Sequence, residues 1–301
     1  MKKILSIIVS LFLLAIAVCA YAFKPATLTT PATLPPAEPP IVSVKPIRIL
    51  LVPGHDNQYW GAQFGKIKEA DMNLVLATQV YDILSKDKRF KVFITRDQNG
   101  YTKEFADYYA QHKTDIASWE ASAKKNMQNE IASGSFVTEP GAPHHTVIND
   151  IALRLYGFNK WAGENKIDAM IHMHFNDYPM ATLSTIGKYT GLAVYVPEGQ
   201  LSNSKTSAAL GTDIMNELLT KYSKSNFPPE KAGLVPDQKL IALGANGTLP
   251  ASVSSVLVEY EYMYQKILRT VALRQKQYSV MAELTAKGIQ DYYYPVVSSA
   301  K

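Results

Sequence analysis

The chain has 301 residues, of which 47% are apolar and 19% charged, with a formal net charge of +5. This composition excludes an intrinsically disordered chain and is long enough to bury a core of ordinary size. The basic excess is small and no Lys/Arg block stands out, so no nucleic-acid partner is expected.

The first residues, MKKILSIIVSLFLLAIAVCAYAFKP, carry Lys2 and Lys3, then an apolar stretch, then Ala20-Tyr21-Ala22. That is the order of an export signal, with cleavage expected after Ala22. The apolar stretch approaches bilayer length, so an uncleaved membrane anchor over 1–22 is the alternative. Either way the expected location is the periplasm or cell envelope. Cys19, the only cysteine, lies in this segment, and Val18 before it is a poor match to a lipoprotein box. The mature chain therefore has no disulfide and no thiolate ligand, and any metal must be held by His, Asp or Glu. Residues 23–46 include seven prolines and a repeated Pro-Ala-Thr-Leu, the composition of an extended spacer.

Elements begin at residue 47. IRILLV is of strand length and stops at Pro53-Gly54. From Glu69, the residues Met72, Val75, Leu76, Val80, Ile83 and Leu84 recur at helical spacing. KVFITR (91–96) reads as a strand. About 97–149 is polar and aromatic, an insertion of one or two helices that is either rim decoration or a lid or autoinhibitory segment. VINDIALRLYGFNKWAGENK (147–166) reads as a helix, IDAMIHMHFN (167–176) and KYTGLAVYVP (188–197) as strands, and 202–224 as a helix. A Pro/Gly-rich loop follows, then strands KLIAL (239–243) and SSVLVEYEY (254–262), then a helix over 263–292. Strands alternating with helices predict an α/β fold over 47–295: a single domain with a mostly parallel sheet flanked by helices.

Strand alternation in 167–176 sets Ile167, Ala169, Ile171, Met173 and Phe175 on one face and His172, His174 and Asn176 on the other. Successive same-face positions lie ~6.6 Å apart, from a ~3.3 Å rise per residue. Each histidine taken alone reads better as a polar residue closing a strand. Glu69 reads equally well as a first-turn acid, and Glu259 as an acid emerging into solvent. In a parallel sheet, however, the ends of the strands carrying His55, His174 and Glu259 gather at one edge. Two histidines and one carboxylate suit zinc with a fourth position for water, and a second carboxylate can handle the proton. That combination describes a zinc-dependent amide hydrolase. His144 and His145 fall in a loop.

The residues also carry a resemblance. LLVPGH, GAQFGKIKEADMNL, VFITR, IDAMIHMHFN, YTGLAVYV and VLVE, in this order, resemble the zinc-dependent N-acetylmuramoyl-L-alanine amidases of the bacterial cell wall, the amidase-3 family. The resemblance implies that His55, Glu69 and His174 hold Zn2+, that Glu259 is the general base and acid, and that peptidoglycan or its fragments are the substrate. His172 stands where the family usually has Ser. With Asn176 and Glu261 it is a candidate for supporting the site or touching substrate. Asp56-Asn57 replaces the Gly-Gly usual after the first Gly-His. Tyr260-Glu261-Tyr262 replaces x-Gly-Phe, and Glu261, on the same face as Glu259, is expected to raise its pKa by like-charge repulsion. The competing readings are a non-catalytic wall-binding protein on the same scaffold and a zinc peptidase with another substrate.

Overall fold

The computed structural model describes residues 45–142, 147–177 and 186–295. The expected export signal, the spacer up to residue 44 and the His144-His145 pair lie outside these residues. Among the described residues no helix is long and apolar enough to cross a membrane.

Strands β1 (Ile47–Pro53), β4 (Phe90–Ile94), β7 (Ala169–Asn176), β8 (Ala193–Pro197), β9 (Leu234–Asp237) and β10 (Ser254–Tyr262) form one sheet in the order β4-β1-β7-β10-β8-β9. The first four in that order run parallel, β8 is antiparallel to β10, and β9 is parallel to β8. Two small hairpins, β2 (Gln63–Phe64) with β3 (Ile67–Lys68) and β5 (Arg96–Asp97) with β6 (Gly100–Tyr101), decorate it. Helices α1 (Glu69–Leu84), α4 (Ser204–Leu218) and α5 (Val271–Tyr293) cover one face, and α2 (Lys103–Ser133) and α3 (Asn149–Glu164) lie on the other. The protein is thus an α/β domain with a mostly parallel six-stranded sheet flanked by helices.

The apolar runs in β1 and β10 follow from this sandwiching, since a central parallel strand has no solvent face. Ile49, Leu51, Ile171, Met173, Val256 and Val258 pack toward α1, α4 and α5. Leu50, Val52 and Met170 pack the other way, against Phe158 and Trp161 of α3. Leu51 is fully buried, so truncation to Ala is expected to cost about 2–5 kcal/mol. The faces read from alternation hold within β7, but Ile167, which precedes the strand, packs with Leu50 and Met170 on the opposite face from Ala169 and Ile171.

Several elements differ from expectation. Residues 239–243 are not a strand: Ile241–Leu243 is a 3-10 turn that ends at Gly244 with φ 91°. A five-residue apolar run does not distinguish a strand from a buried turn. The sixth strand is instead β9, within the segment read as a Pro/Gly-rich loop. Among its described residues the insertion holds one long helix, α2, of 31 residues. The last helix starts at Val271, not 263, where the Thr270 hydroxyl accepts from Leu273 N–H as an N-cap.

From β1 the chain crosses to β4 on one side and returns later to β7 on the other. The C-terminal ends of β1 and β7 therefore border a topological switch point, where open α/β sheets form a crevice.

Candidate metal centre and active site

Three side chains meet at that crevice. Pairing of β1 with β7 persists to Gly54, whose N–H donates to Met173 O at 2.9 Å, so His55 leaves the sheet beside His174. His55 has φ 62°, a left-handed conformation uncommon for a non-glycine residue and costing about 1–3 kcal/mol where it occurs. Glu69 opens α1 and bridges the two rings. His55 Nε2 lies 3.0 Å from Glu69 Oε2, and His174 Nδ1 lies 2.9 Å from Glu69 Oε1. One ligand atom from each residue falls within 4.8 Å of the others.

Two glycines make room. A Cβ on Gly54 would lie 2.2 Å from His174 Cε1, and one on Gly61 would lie 2.3 Å from Glu69 Oε2 and 2.4 Å from the His55 ring. Gly61 also has φ 71°, so it is required both for space and for backbone conformation.

A further layer holds the carboxylate and the strand end. Glu69 accepts from Ala62 N–H at 2.9 Å, Asn73 Nδ2 at 3.2 Å and Phe175 N–H at 3.3 Å. Asn73 Nδ2 also donates to Gly54 O at 3.1 Å. Arg96, fully buried, donates to Gly54 O at 3.0 Å, Ala70 O at 2.7 Å and Pro53 O at 3.3 Å, tying the end of β1 to the start of α1. Sequence reading gave Asn73 and Arg96 no supporting role, although both fall in segments that carry the family resemblance. Asp56 accepts from Gln58 N–H and Tyr59 N–H, both at 2.8 Å, and from the Tyr101 hydroxyl at 3.0 Å. The departure from Gly-Gly therefore builds a braced turn beside His55.

The electrostatics fit a cation. Burial opposes charge on His55, but the Glu69 carboxylate outweighs it and raises the pKa. Burial also lowers His174, against the pull of Glu69, so this ring favours the neutral form a metal ligand needs. Glu69 is held well below the usual carboxylate range, because the two imidazoles outweigh its burial. Two imidazoles and an ionised carboxylate, without thiolate, make a donor set that fits zinc or a similar divalent ion.

Glu259 lies on β10 opposite His174 and lines the same cavity, of about 560 Å³. Burial, then the carboxylates of Glu69, Glu230 and Asp177, push its pKa well up. Glu261 does not contribute, contrary to the sequence expectation. The register of β10 shifts between Glu259 and Tyr262, and Glu261 instead accepts from Gly191 N–H at 2.7 Å, Tyr262 N–H at 2.9 Å and the Thr190 hydroxyl at 3.2 Å. The like charge comes first from Glu69 and then from Glu230, which is far away in sequence and carried no local signal. Asp177, also unanticipated, lines the cavity, and burial and Glu69 raise it to about 6. His172 lines the cavity too. It is buried, and its Nε2 has no hydrogen-bond partner among the described residues. Burial, with the nearby His174, lowers His172 to about 3, so it is a neutral ring. Asn176 lines the cavity and donates to Glu230 at 2.8 Å. His112 is on exposed α2 and stacks on Tyr108 away from the site.

No protein-family model and no curated protein matches the chain. Solved structures do. The CwlD amidase of Clostridioides difficile, determined in complex with the GerS lipoprotein, is similar with a TM-score of 0.51 at 16% identity, covering 82% of this chain and 98% of that one. The N-acetylmuramyl-L-alanine amidase Ami1 of Mycobacterium abscessus gives 0.51 at 14% identity, over 83% of this chain and 100% of that one. Ami1 of Mycobacterium smegmatis gives 0.50 at 13%, over 82% and 96%. The chain has the fold of these N-acetylmuramoyl-L-alanine amidases.

Proposed function

We propose that the protein is a zinc-dependent peptidoglycan amidase that hydrolyses the amide bond between N-acetylmuramic acid and L-alanine. The observation that carries this reading is one cavity lined by His55, Glu69, His174 and the buried carboxyl of Glu259. The amidase fold supports the choice of substrate, and the N-terminal segment, read as an export signal or anchor followed by a spacer, supports an envelope location.

His55, Glu69 and His174 hold the ion. When bound, it supplies a water that is nucleophilic at neutral pH. Glu259 moves the proton: its carboxylate accepts one as the water oxygen bonds to the amide carbon, then returns it to the nitrogen of the departing L-alanine as the C–N bond breaks. A group that must both accept and donate works best with a pKa brought toward the working pH, and burial among like charges moves Glu259 that way. The apolar side chains Val147, Ile148 and Ile151 wall the cavity and limit the water around the charged groups.

The test is digestion of purified peptidoglycan by the full chain, with and without a chelator. Newly freed L-alanine amino termini are expected only without chelator and are restored by added zinc. Bound zinc with no new L-alanine termini rules the reading out, and cleavage within the stem peptide instead would make the protein a zinc peptidase.

A further inference from the structure

Behind the cavity lies a second buried carboxylate, to which the proposed reaction gives no role beyond its like-charge effect on Glu259. Glu230 ends a short turn (Pro228–Glu230) and is fully buried. A carboxylate in such a place is costly unless several donors meet it. Three do. Asn176 Nδ2 at 2.8 Å and the Tyr195 hydroxyl at 2.9 Å donate to Oε1, and the Tyr262 hydroxyl at 2.9 Å donates to Oε2. Tyr195 comes from β8 and Tyr262 from β10, so the acid sits in a frame fixed by the sheet itself.

Of these three donors only Asn176 lines the cavity. It closes β7 two residues after His174, and its backbone carbonyl accepts from Met263 N–H at 2.9 Å, which pins its main chain to the segment after β10. A carboxamide has a donor end and an acceptor end, and turning it over exchanges them. Glu230 only accepts, so it selects the orientation with Nδ2 inward. We propose that Glu230 is a positioning residue that locks the Asn176 carboxamide in one orientation, so that Asn176 aligns the amide group of the substrate in the cavity. This rests on the reading of the cavity as an amide-hydrolase site.

The test is a double-mutant cycle in the full-length, zinc-loaded protein, using Glu230→Gln, Asn176→Ala and the pair. Gln presents a donor as well as an acceptor and no longer selects one orientation. Each single variant is expected to lose kcat by about 10- to 100-fold, the range for a misplaced positioning group, with KM within about twofold. The pair is expected to be no worse than the poorer single variant. Tyr262→Phe, which removes the donor on Oε2 and leaves Asn176 in place, is expected to lower the melting midpoint while keeping kcat. Multiplying losses in the pair, or an equal kcat loss in Tyr262→Phe, would overturn the proposal. If Glu230→Gln does not fold, Glu230→Asp, whose shorter side chain draws the acceptor away from Asn176 Nδ2, takes its place in the cycle under the same criteria. If the wild-type protein does not cleave muramoyl-L-alanine, the amidase reading fails by itself. The positioning claim is then judged by the 1H–15N signals of the Asn176 side-chain amide. They should shift in Glu230→Gln well beyond their shift in Tyr262→Phe, and unchanged signals overturn it.

Discussion

Gly54 and His174 are packed so closely that a Cβ on Gly54 would fall inside the imidazole, 2.2 to 2.6 Å from three of its atoms. The ring cannot retreat freely, because Nδ1 is held by Glu69 at 2.9 Å. Gly54→Ala is therefore expected to displace His174 and weaken zinc binding about 10- to 100-fold, the range seen when support of a ligand is lost. Competition against a chelating dye measures this, with circular dichroism to confirm folding. Unchanged affinity would mean that the ring has another place to sit.

Substitution of Glu259 tests whether metal binding and the proposed proton transfer can be separated. Glu259→Gln keeps the shape of the side chain and leaves His55, Glu69 and His174 untouched. Metal content by elemental analysis is expected to stay stoichiometric while the rate of muramoyl-L-alanine hydrolysis drops at least about 100-fold. Retained activity would place the proton transfer elsewhere, with Asp177 the next carboxyl on the cavity wall.

Arg96 tests how the site is braced. Its guanidinium serves three backbone carbonyls, at Pro53, Gly54 and Ala70, that have little access to water. Arg96→Met fills similar volume but strands these acceptors, so a loss of about 3 kcal/mol in urea unfolding is expected. Zinc affinity should fall with it, since the same carbonyls flank His55 and Glu69. A loss below about 1 kcal/mol would mean that the carbonyls find other donors.

His172 predicts a pH dependence for the metal-free protein. Its folded pKa of about 3 lies below the ordinary 6.5, so between those values the unfolded chain binds the extra proton. The stability associated with the neutral buried ring is complete above pH 6.5 and is lost as pH falls toward 3, by at most about 1.4 kcal/mol per pH unit. Chemical unfolding of the chelated protein at pH 7.5 and 5 should show this slope, and His172→Gln should flatten it. An equal slope in the variant would assign the acid sensitivity to other groups.

Much of the site was legible because its signals are local. His55 follows a strand stop, Glu69 begins a periodic helix, and alternation in β7 separates His172 and His174 from Ile171 and Met173. Glu261 shows where that logic ends. Alternation alone puts it beside Glu259, but a register shift in β10 turns it to the Gly191 N–H. KLIAL fails for a similar reason, since an apolar run records burial and not backbone conformation.

The sequence by itself determined which residues can face the core, where strands stop, and which few side chains could hold a metal, because these depend on spacing between near neighbours. Only the tertiary structure decided what surrounds them. Arg96 reaches carbonyls more than 25 residues away, and Glu230 collects Asn176, Tyr195 and Tyr262 from three strands, 54, 35 and 32 residues distant. Such buried polar partners are selected by the cost of leaving any of them unsatisfied. That cost exists only once the sheet has closed around them and excluded water.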